Sequence, residues 1–242
     1  MAPPIRSLRR AFFVEEYMLV ISNKASDTLK EFLVNEGISF LLSKDNPHLD
    51  PRIADHPDLS LFVLDRENIL VASEVYDYYR ENIKGKNLIR GEEVARKYPK
   101  DAIYNLVRFK NFYIHNDFTE ENIKKFFYEH DIAHLKVKQG YSRCSTIVLN
   151  DSLLTSDYGI YKSLKDRVKV RLLEEDKILL DGFDKGFIGG ACGLYDNKLI
   201  FTGDIRSHRS FSLIKTACKE EGLDILYPET DLVDLGSLLD IS

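Results

Sequence analysis

At 242 residues the chain is long enough for one large domain or two small ones, and 44% hydrophobic with 30% charged residues is the make-up of a globular protein with a full core. Its net charge of −5 argues against a general nucleic-acid binder, which needs a basic face to neutralise phosphates. No apolar run approaches the ~20 residues that cross a bilayer, so no membrane partner is expected.

The N-terminus opens with Arg6, Arg9 and Arg10 before the apolar run AFFVEEYMLVI. Glu15 and Glu16 interrupt that run, which a secretory h-region does not tolerate. Within it AFFVE and YMLVIS are predicted strands flanking a tight turn. A helix over TLKEFLVNEG follows, with Leu29, Phe32 and Leu33 at helical spacing and Gly37 as its stop. ISFLLS is the next strand. A second unit begins at HPDLSLFVLD, turns at Arg66-Glu67-Asn68 and continues through ILVASEVYDYYRENI. A third runs AIYNLVRF, turn at Lys110-Asn111, FYIHNDFTEENIKKFFYEHD, then IAHLKV; Thr119 is its expected helix cap, with Asn122 in the place of the usual acidic partner. The fourth, GYSRCSTIVLNDSLLTSDYGIYKSLKD followed by VKVRLL, turns at Asn150-Asp151 as a hairpin does. The fifth is GFIGGACGLYDNKLIFTGDI, with a turn at Asp196-Asn197, a helix around SLIKTACKEEG and the strand LDILYP.

These segments are one unit repeated five times. Each second strand ends in a small polar or acidic cluster: Ser22-Asn23, Ala72-Ser73-Glu74, His115-Asn116-Asp117, Thr155-Ser156-Asp157 and Thr202-Gly203-Asp204. Successive clusters are 40 to 51 residues apart, a period that signals stacked or radial supersecondary units. The clusters themselves read as strand terminators and helix caps. No low-complexity tract or composition shift divides the chain. The expectation is therefore a single α/β domain over 1–242, with units at approximately 8–50, 54–98, 99–139, 140–183 and 184–242.

Strand, strand, helix, strand, repeated five times, resembles the pentein fold of the guanidine-modifying enzymes, in which five ββαβ blades surround a pseudo-five-fold axis. GYSRCS, GFIGGACG and the tail LVDLGSLLD also resemble an uncharacterised bacterial pentein-like family. The resemblance covers roughly residues 8 to 242 as a pattern. It implies a Cys nucleophile, a His general acid/base and carboxylates gripping a guanidinium, as in arginine and agmatine deiminases and dimethylargininases. A guanidinium carbon is a poor electrophile, so it calls for a thiolate; His shuttles protons, and planar carboxylate contacts orient the cation.

On that resemblance His56-Pro57-Asp58 is similar to the deiminases' His-x-Asp segment, which makes His56 catalytic and Asp58 the substrate carboxylate. Gly140-Tyr141-Ser142-Arg143-Cys144-Ser145 is similar to their Gly-rich approach to the nucleophile, which assigns that role to Cys144. The 88 positions between His56 and Cys144 match about two units. The match requires a cyclic shift of blades. In the family the nucleophilic Cys is close to the C-terminus, where this chain has Gly236 and Ser237, and the His falls near Tyr141 in chain order. The second carboxylate, one blade before the His, falls in RSLRRAFF, which is basic.

Other candidates follow from chemistry and placement. Arg143 is expected to lower the Cys144 thiol pKa if it lies near the sulfur. Cys192 in GGAC is a rival nucleophile, since Gly189 and Gly190 permit close approach of backbone to a ligand. Asp101 and Asn105 open the third unit and are expected to line the central channel. Cys218 belongs to the last helix and the core. The three cysteines fit neither a disulfide framework nor a zinc pattern, so a reducing cytoplasm is the simplest setting. His115, His130, His134 and His208 lack metal spacing, and no metal is expected. GFIGG lacks the strand–GxGxxG–helix context of a nucleotide fingerprint, so no cofactor is expected. Two functions follow: a cysteine-dependent hydrolase or transferase acting on a small cationic guanidino compound, or a non-catalytic ring used for ligand binding or assembly.

Overall fold

The computed structural model describes residues 19–242, and it consists of five small three-stranded sheets arranged as blades around one axis. In the first blade β1 (Leu19–Ile21) is followed by α1 (Asp27–Asn35) and β2 (Phe40–Leu42). Ser26 caps α1 by accepting from the Leu29 N–H, and Gly37 ends it at φ +72°, a left-handed conformation that glycine adopts without penalty.

The next four blades repeat one pattern: hairpin, helix, then a strand parallel to the hairpin's second strand. Blade two is β3 (Leu61–Val63), β4 (Asn68–Val71), α2 (Tyr76–Asn82) and β5 (Asn87–Arg90). Blade three is β6 (Val107–Phe109), β7 (Phe112–His115), α3 (Glu121–Glu129) and β8 (Ala133–Lys136). Blade four is β9 (Thr146–Val148), β10 (Leu153–Thr155), α4 (Tyr158–Leu164) and β11 (Val170–Leu172). Blade five is β12 (Cys192–Tyr195), β13 (Lys198–Phe201), α5 (Phe211–Glu220) and β14 (Asp224–Leu226). The predicted turns at Lys110-Asn111 and Asp196-Asn197 join their hairpins. Asp196 and Asn197 have φ of 45° and 59°, the pair of positive values that twists a two-residue hairpin correctly.

Blade one is closed from the other end of the chain. The last strand, β15 (Leu239–Asp240), returns to pair antiparallel with β1, with Leu19 opposite Asp240 and Val20 opposite Leu239. The inner strand of this blade is therefore C-terminal. The predicted AFFVE strand and the basic segment RSLRRAFF lie outside the described residues. No helix among those residues is long and apolar enough to cross a membrane.

Helices pack between neighbouring sheets, so the core is a set of inter-blade seams. Phe62 of β3 meets Phe127 of α3 edge-on at 5.8 Å and 84°, joining blades two and three, a geometry that adds about 0.5–1.5 kcal/mol to simple burial. Another cluster joins Ile147 and Leu154 of blade four to Phe201 and Ile214 of blade five. A third packs Leu19 and Leu29 of blade one against Ile200 and Leu238.

The α3 cap differs from expectation. Glu120, not Thr119, accepts from the Ile123 N–H, and its other oxygen takes the Asn122 amide at 2.6 Å. Thr119 is diverted to the ring of buried His115, whose Nδ1 is 2.7 Å from the Thr119 hydroxyl and whose Nε2 is 2.8 Å from the Gly140 carbonyl. Because a carbonyl only accepts, Nε2 carries the proton and Nδ1 accepts from Thr119. His115 thereby ties blade three to the start of the segment leading to Cys144.

Burial lowers the His115 pKa to about 4. The unfolded chain takes up a proton below ~6.5 while the folded one does not until about 4, so stability falls as pH drops through that window. The expected loss is up to about 3 kcal/mol. Denaturant midpoints measured from pH 7 to 4 should show it, and His115→Gln should flatten the curve.

Candidate active site

The segments that precede the five inner strands converge on the axis, and each delivers a polar group there. Blade two brings His56 and Asp58, blade three Asn105, blade four Cys144, blade five Gly189 and Gly190, and the tail Asp234 and Ser237. The six side chains and both glycines are buried. One donor atom each from His56, Cys144 and Asp234 lies within 4.8 Å of the others. His56 Nδ1 is 4.0 Å from Asp234 Oδ1. Cys144 donates its S–H to Asp58 Oδ2 at 3.1 Å, and Asn105 Nδ2 donates to the sulfur at 3.1 Å.

Backbone contacts fix these groups. The Asn105 side-chain oxygen accepts both the Arg143 and Cys144 N–H groups, at 3.0 and 3.1 Å. Gly190 donates to the Cys144 carbonyl, and its own carbonyl accepts from Leu235 and Ser237. Asp234 takes the Phe187 N–H at 2.8 Å on Oδ2 and the Gly236 N–H at 3.1 Å on Oδ1. Ser237, at φ +67°, gives its hydroxyl to Asp58 Oδ2 at 2.7 Å, with the Gly189 carbonyl 3.2 Å away. That left-handed conformation costs a non-glycine residue free energy, which the surrounding contacts offset.

The site's electrostatics run against a resting thiolate. Burial first, then the charges of Asp58 and Asp234, push the Cys144 thiol well above its ordinary pKa. Burial also raises Asp234, opposed by His56 and its two backbone donors. Arg143 does not offset this at Cys144: its guanidinium donates to the Thr146 and Gly189 carbonyls, at 3.1 and 3.3 Å. Its charge acts instead on Cys192, whose thiol burial pushes up to about 12.

Of the residues singled out in the sequence, His56, Asp58, Asn105 and Cys144 meet at the axis, with Gly189 and Gly190 against them. A Cβ on Gly189 would come within 2.4 Å of the Thr146 carbonyl oxygen and 2.7 Å of that of Cys144, and one on Gly190 within 1.9 Å of Asp234 Oδ1. Both glycines are required for this close approach. Cys192 belongs to the seam around Leu199 and Phe201. Asp101 accepts from the Tyr141 hydroxyl at 2.7 Å, and Tyr141 stacks between Tyr98 and Phe187. Asp234 and Ser237 were not among the sequence candidates. Their signal was the tail LVDLGSLLD, which reads as a site segment once β15 is known to complete blade one.

Asp58 and Arg143 also line an axial pocket of about 290 Å³, whose walls include Leu61 and Leu194 of the inner strands and Leu106 and Leu238 just before them. A cleft of about 710 Å³ between Asp176, Asp204, His208 and Glu229 contains none of the axial residues. Of these two cavities, the axial one is lined by a residue of the cluster, Asp58.

Solved structures with the same architecture include a DDAH from Pseudomonas aeruginosa, a cysteine-to-serine mutant complexed with citrulline: 9% identity, TM-score 0.56, over 88% of this chain and 91% of that one. An agmatine deiminase from C. jejuni matches at 10% identity and TM-score 0.51, over 88% and 87%. An arginine dihydrolase from Cyanobacteria matches at 13% and 0.53, over 88% of this chain and 36% of that one. All have the pentein fold, and so does this chain. No curated protein matches it in sequence. The model of a family of unknown function, DUF6873, matches residues 20–239.

The tail loop is wedged against the site, so Gly236→Ala should damage both. Gly236 has φ +70°, and a Cβ there would fall 2.3 Å from His56 Cβ. The left-handed conformation alone costs a non-glycine residue about 1–2 kcal/mol. Chemical denaturation should show at least that loss; unchanged stability would contradict the described packing.

Proposed function

Because the chain belongs to the DUF6873 family and carries a polar cluster on the axis of a pentein ring, we propose that it is a cysteine-dependent hydrolase or transferase acting on a small guanidino compound. The observation that carries this reading is the meeting of His56, Cys144 and Asp234 within 4.8 Å, with Asp58 3.1 Å from the sulfur.

Cys144 is the nucleophile, His56 the proton shuttle, and Asp58 and Asp234 the carboxylates that hold the cation. Asp58 Oδ1 is buried with no hydrogen-bond partner, which costs free energy unless a ligand donates to it. A bound guanidinium places one positive charge beside the sulfur, which offsets part of the opposition that Asp58 and Asp234 present to thiolate formation. The thiol therefore ionises when substrate arrives, not before. The thiol proton passes to His56, the thiolate attacks the guanidinium carbon, a C–N bond breaks, and His56 gives that proton to the departing amine. Water, deprotonated by His56, or a second amine then attacks the same carbon, and the C–S bond breaks to regenerate Cys144. Asn105 and Ser237 position the sulfur and Asp58.

The high resting thiol pKa also favours the second reading, a ring that binds a cationic ligand without turning it over. Ammonia or amine release from a panel of guanidino compounds separates the two. Turnover is expected in the wild type, with Cys144→Ser reducing kcat by about 10³-fold or more and His56→Ala by about 10²–10⁴-fold. Asp58→Asn should raise KM more than it lowers kcat. Alkylation of the ligand-free protein should be slow at neutral pH and accelerate only above the ordinary thiol range, and Cys144→Ser should remove that phase while Cys192→Ser leaves it. Binding of a guanidino compound with no turnover, unaffected by Cys144→Ser, would establish the scaffold reading instead.

A further inference from the structure

Beyond the polar cluster, the five inner strands leave a channel along the axis. Every one of them contributes to its wall: Val63 from β3, Arg108 from β6, Val148 from β9, Leu194 from β12 and Leu239 from β15. At about 290 Å³ the cavity is at the small end of ligand sites. Arg108 follows Asn105 by three extended residues, so its backbone lies ~10 Å down the channel from the cluster.

Two guanidinium groups, Arg108 and Arg143, line this largely apolar channel, and both residues are half-buried. Neither forms an ion pair among the described residues. Arg108 donates one N–H to the Phe112 carbonyl at 3.2 Å and lies 5.7 Å from the centre of the Phe127 ring. Arg143 donates to the Thr146 and Gly189 carbonyls. The two carboxylates lining the same cavity pair with neither: Asp58 accepts from Cys144 and Ser237, and Asp240 accepts from the Ser242 N–H at 2.8 Å. Carbonyl partners satisfy some of the N–H groups and leave both charges without a counter-ion. Burial disfavours the charged form of Arg108, yet a guanidinium does not give up its proton in a protein. An anion is what relieves such a site.

We propose that Arg108 and Arg143 make the strand-lined channel a binding site for a small oxyanion, a carboxylate or a phosphate. The guanidinium fork matches these groups with paired hydrogen bonds, and walls of valine and leucine strengthen the attraction by excluding water. The oxyanion is either a free ion or the acid end of a ligand whose other end reaches Asp58; the chemistry that recognises it is the same. The site stands whether or not Cys144 turns a ligand over, because neither arginine takes part in that reaction.

The test is calorimetric titration with inorganic phosphate and with acetate, at an ionic strength held constant with sodium chloride. Saturable binding of one anion per chain is expected, with the two anions competing. Arg108→Gln should weaken it at least about 10-fold, as loss of a charge-assisted pair does. Arg108→Lys, which keeps the charge without the fork, should weaken it less, and Arg80→Gln, on the exposed side of α2, not at all. Arg143 also holds two backbone carbonyls, so Arg108 is the deciding position. Should Arg108→Gln misfold, the wild type decides through phenylglyoxal, an arginine reagent: phosphate must protect Arg108 and leave Arg80 reactive, as read by peptide mass spectrometry. An ω-guanidino carboxylic acid separates the two sources. Binding at least about 10-fold tighter than acetate, with the advantage lost in Arg108→Gln, assigns the oxyanion to a ligand that spans to Asp58; binding no tighter than acetate assigns it to a free ion. Absence of saturable anion binding, binding undiminished in Arg108→Gln, or Arg108 modification indifferent to phosphate would overturn the proposal. Turnover is read separately: turnover without anion binding removes only this proposal, and anion binding without turnover removes only the enzymatic one.

Discussion

The structure depends on a chain of hydrogen bonds that passes through all five blades at the axis. Asn105 of blade three accepts from the Cys144 backbone of blade four; the Cys144 carbonyl accepts from Gly190 of blade five; Gly190 accepts from Leu235 and Ser237 of the tail; and Ser237 donates to Asp58 of blade two. Each blade is a small three-stranded sheet that could not stand alone. The hydrophobic seams join two or three blades at a time, whereas the axial bonds run through every blade. Glycine is obligatory where backbones meet: a Cβ on Gly193 would lie 2.1 Å from the Leu238 carbonyl oxygen. Closure of the ring and assembly of the site are the same event.

That coupling explains why so much unfavourable electrostatics is tolerated at the centre. Burial raises the acids Cys144 and Asp234, and an unpartnered carboxylate oxygen on Asp58 is a direct cost. Left alone, such a cluster would relax by moving a side chain to solvent. Here Asp234 is held by two backbone N–H groups, Asp58 by Ser237 and the Cys144 thiol, and the tail by its strand pairing with β1. The seams and the strand pairs fund the strain, which leaves the cluster poised for whatever cation relieves it.

Much of this was legible in the sequence because the signals were local. Hairpin turns such as Asp196-Asn197, the helical spacing of Leu29 and Leu33 and the stop at Gly37 depend only on neighbours a few residues away. Their recurrence every 40 to 51 residues made the ring readable without any long-range information. His56, Asp58 and Cys144 were legible through a resemblance carried by short motifs. The Glu120 cap was not, because Thr119 is claimed by His115, a partner that only the tertiary structure provides.

Asp234 was missed for a more instructive reason. A linear reading places the inner strand of blade one at the N-terminus and searches for the second carboxylate in RSLRRAFF. The ring has no such obligation: β15 supplies that strand from the C-terminus, and the carboxylate comes with it. Within the repeat, Asp234-Leu235-Gly236-Ser237 before β15 occupies the same station as His56-Pro57-Asp58 before β3 and Arg143-Cys144-Ser145 before β9. Every blade offers one such station ahead of its inner strand. A nucleophile, a proton shuttle or a carboxylate can therefore come from any blade. Chain order is then a poor guide to chemistry in this fold, and the axial station is the better one. By that criterion the tail, with Ser237 where the resemblance would put a cysteine, still contributes to the site: it supplies the carboxylate and the hydroxyl that fix Asp58, while the thiol comes from blade four.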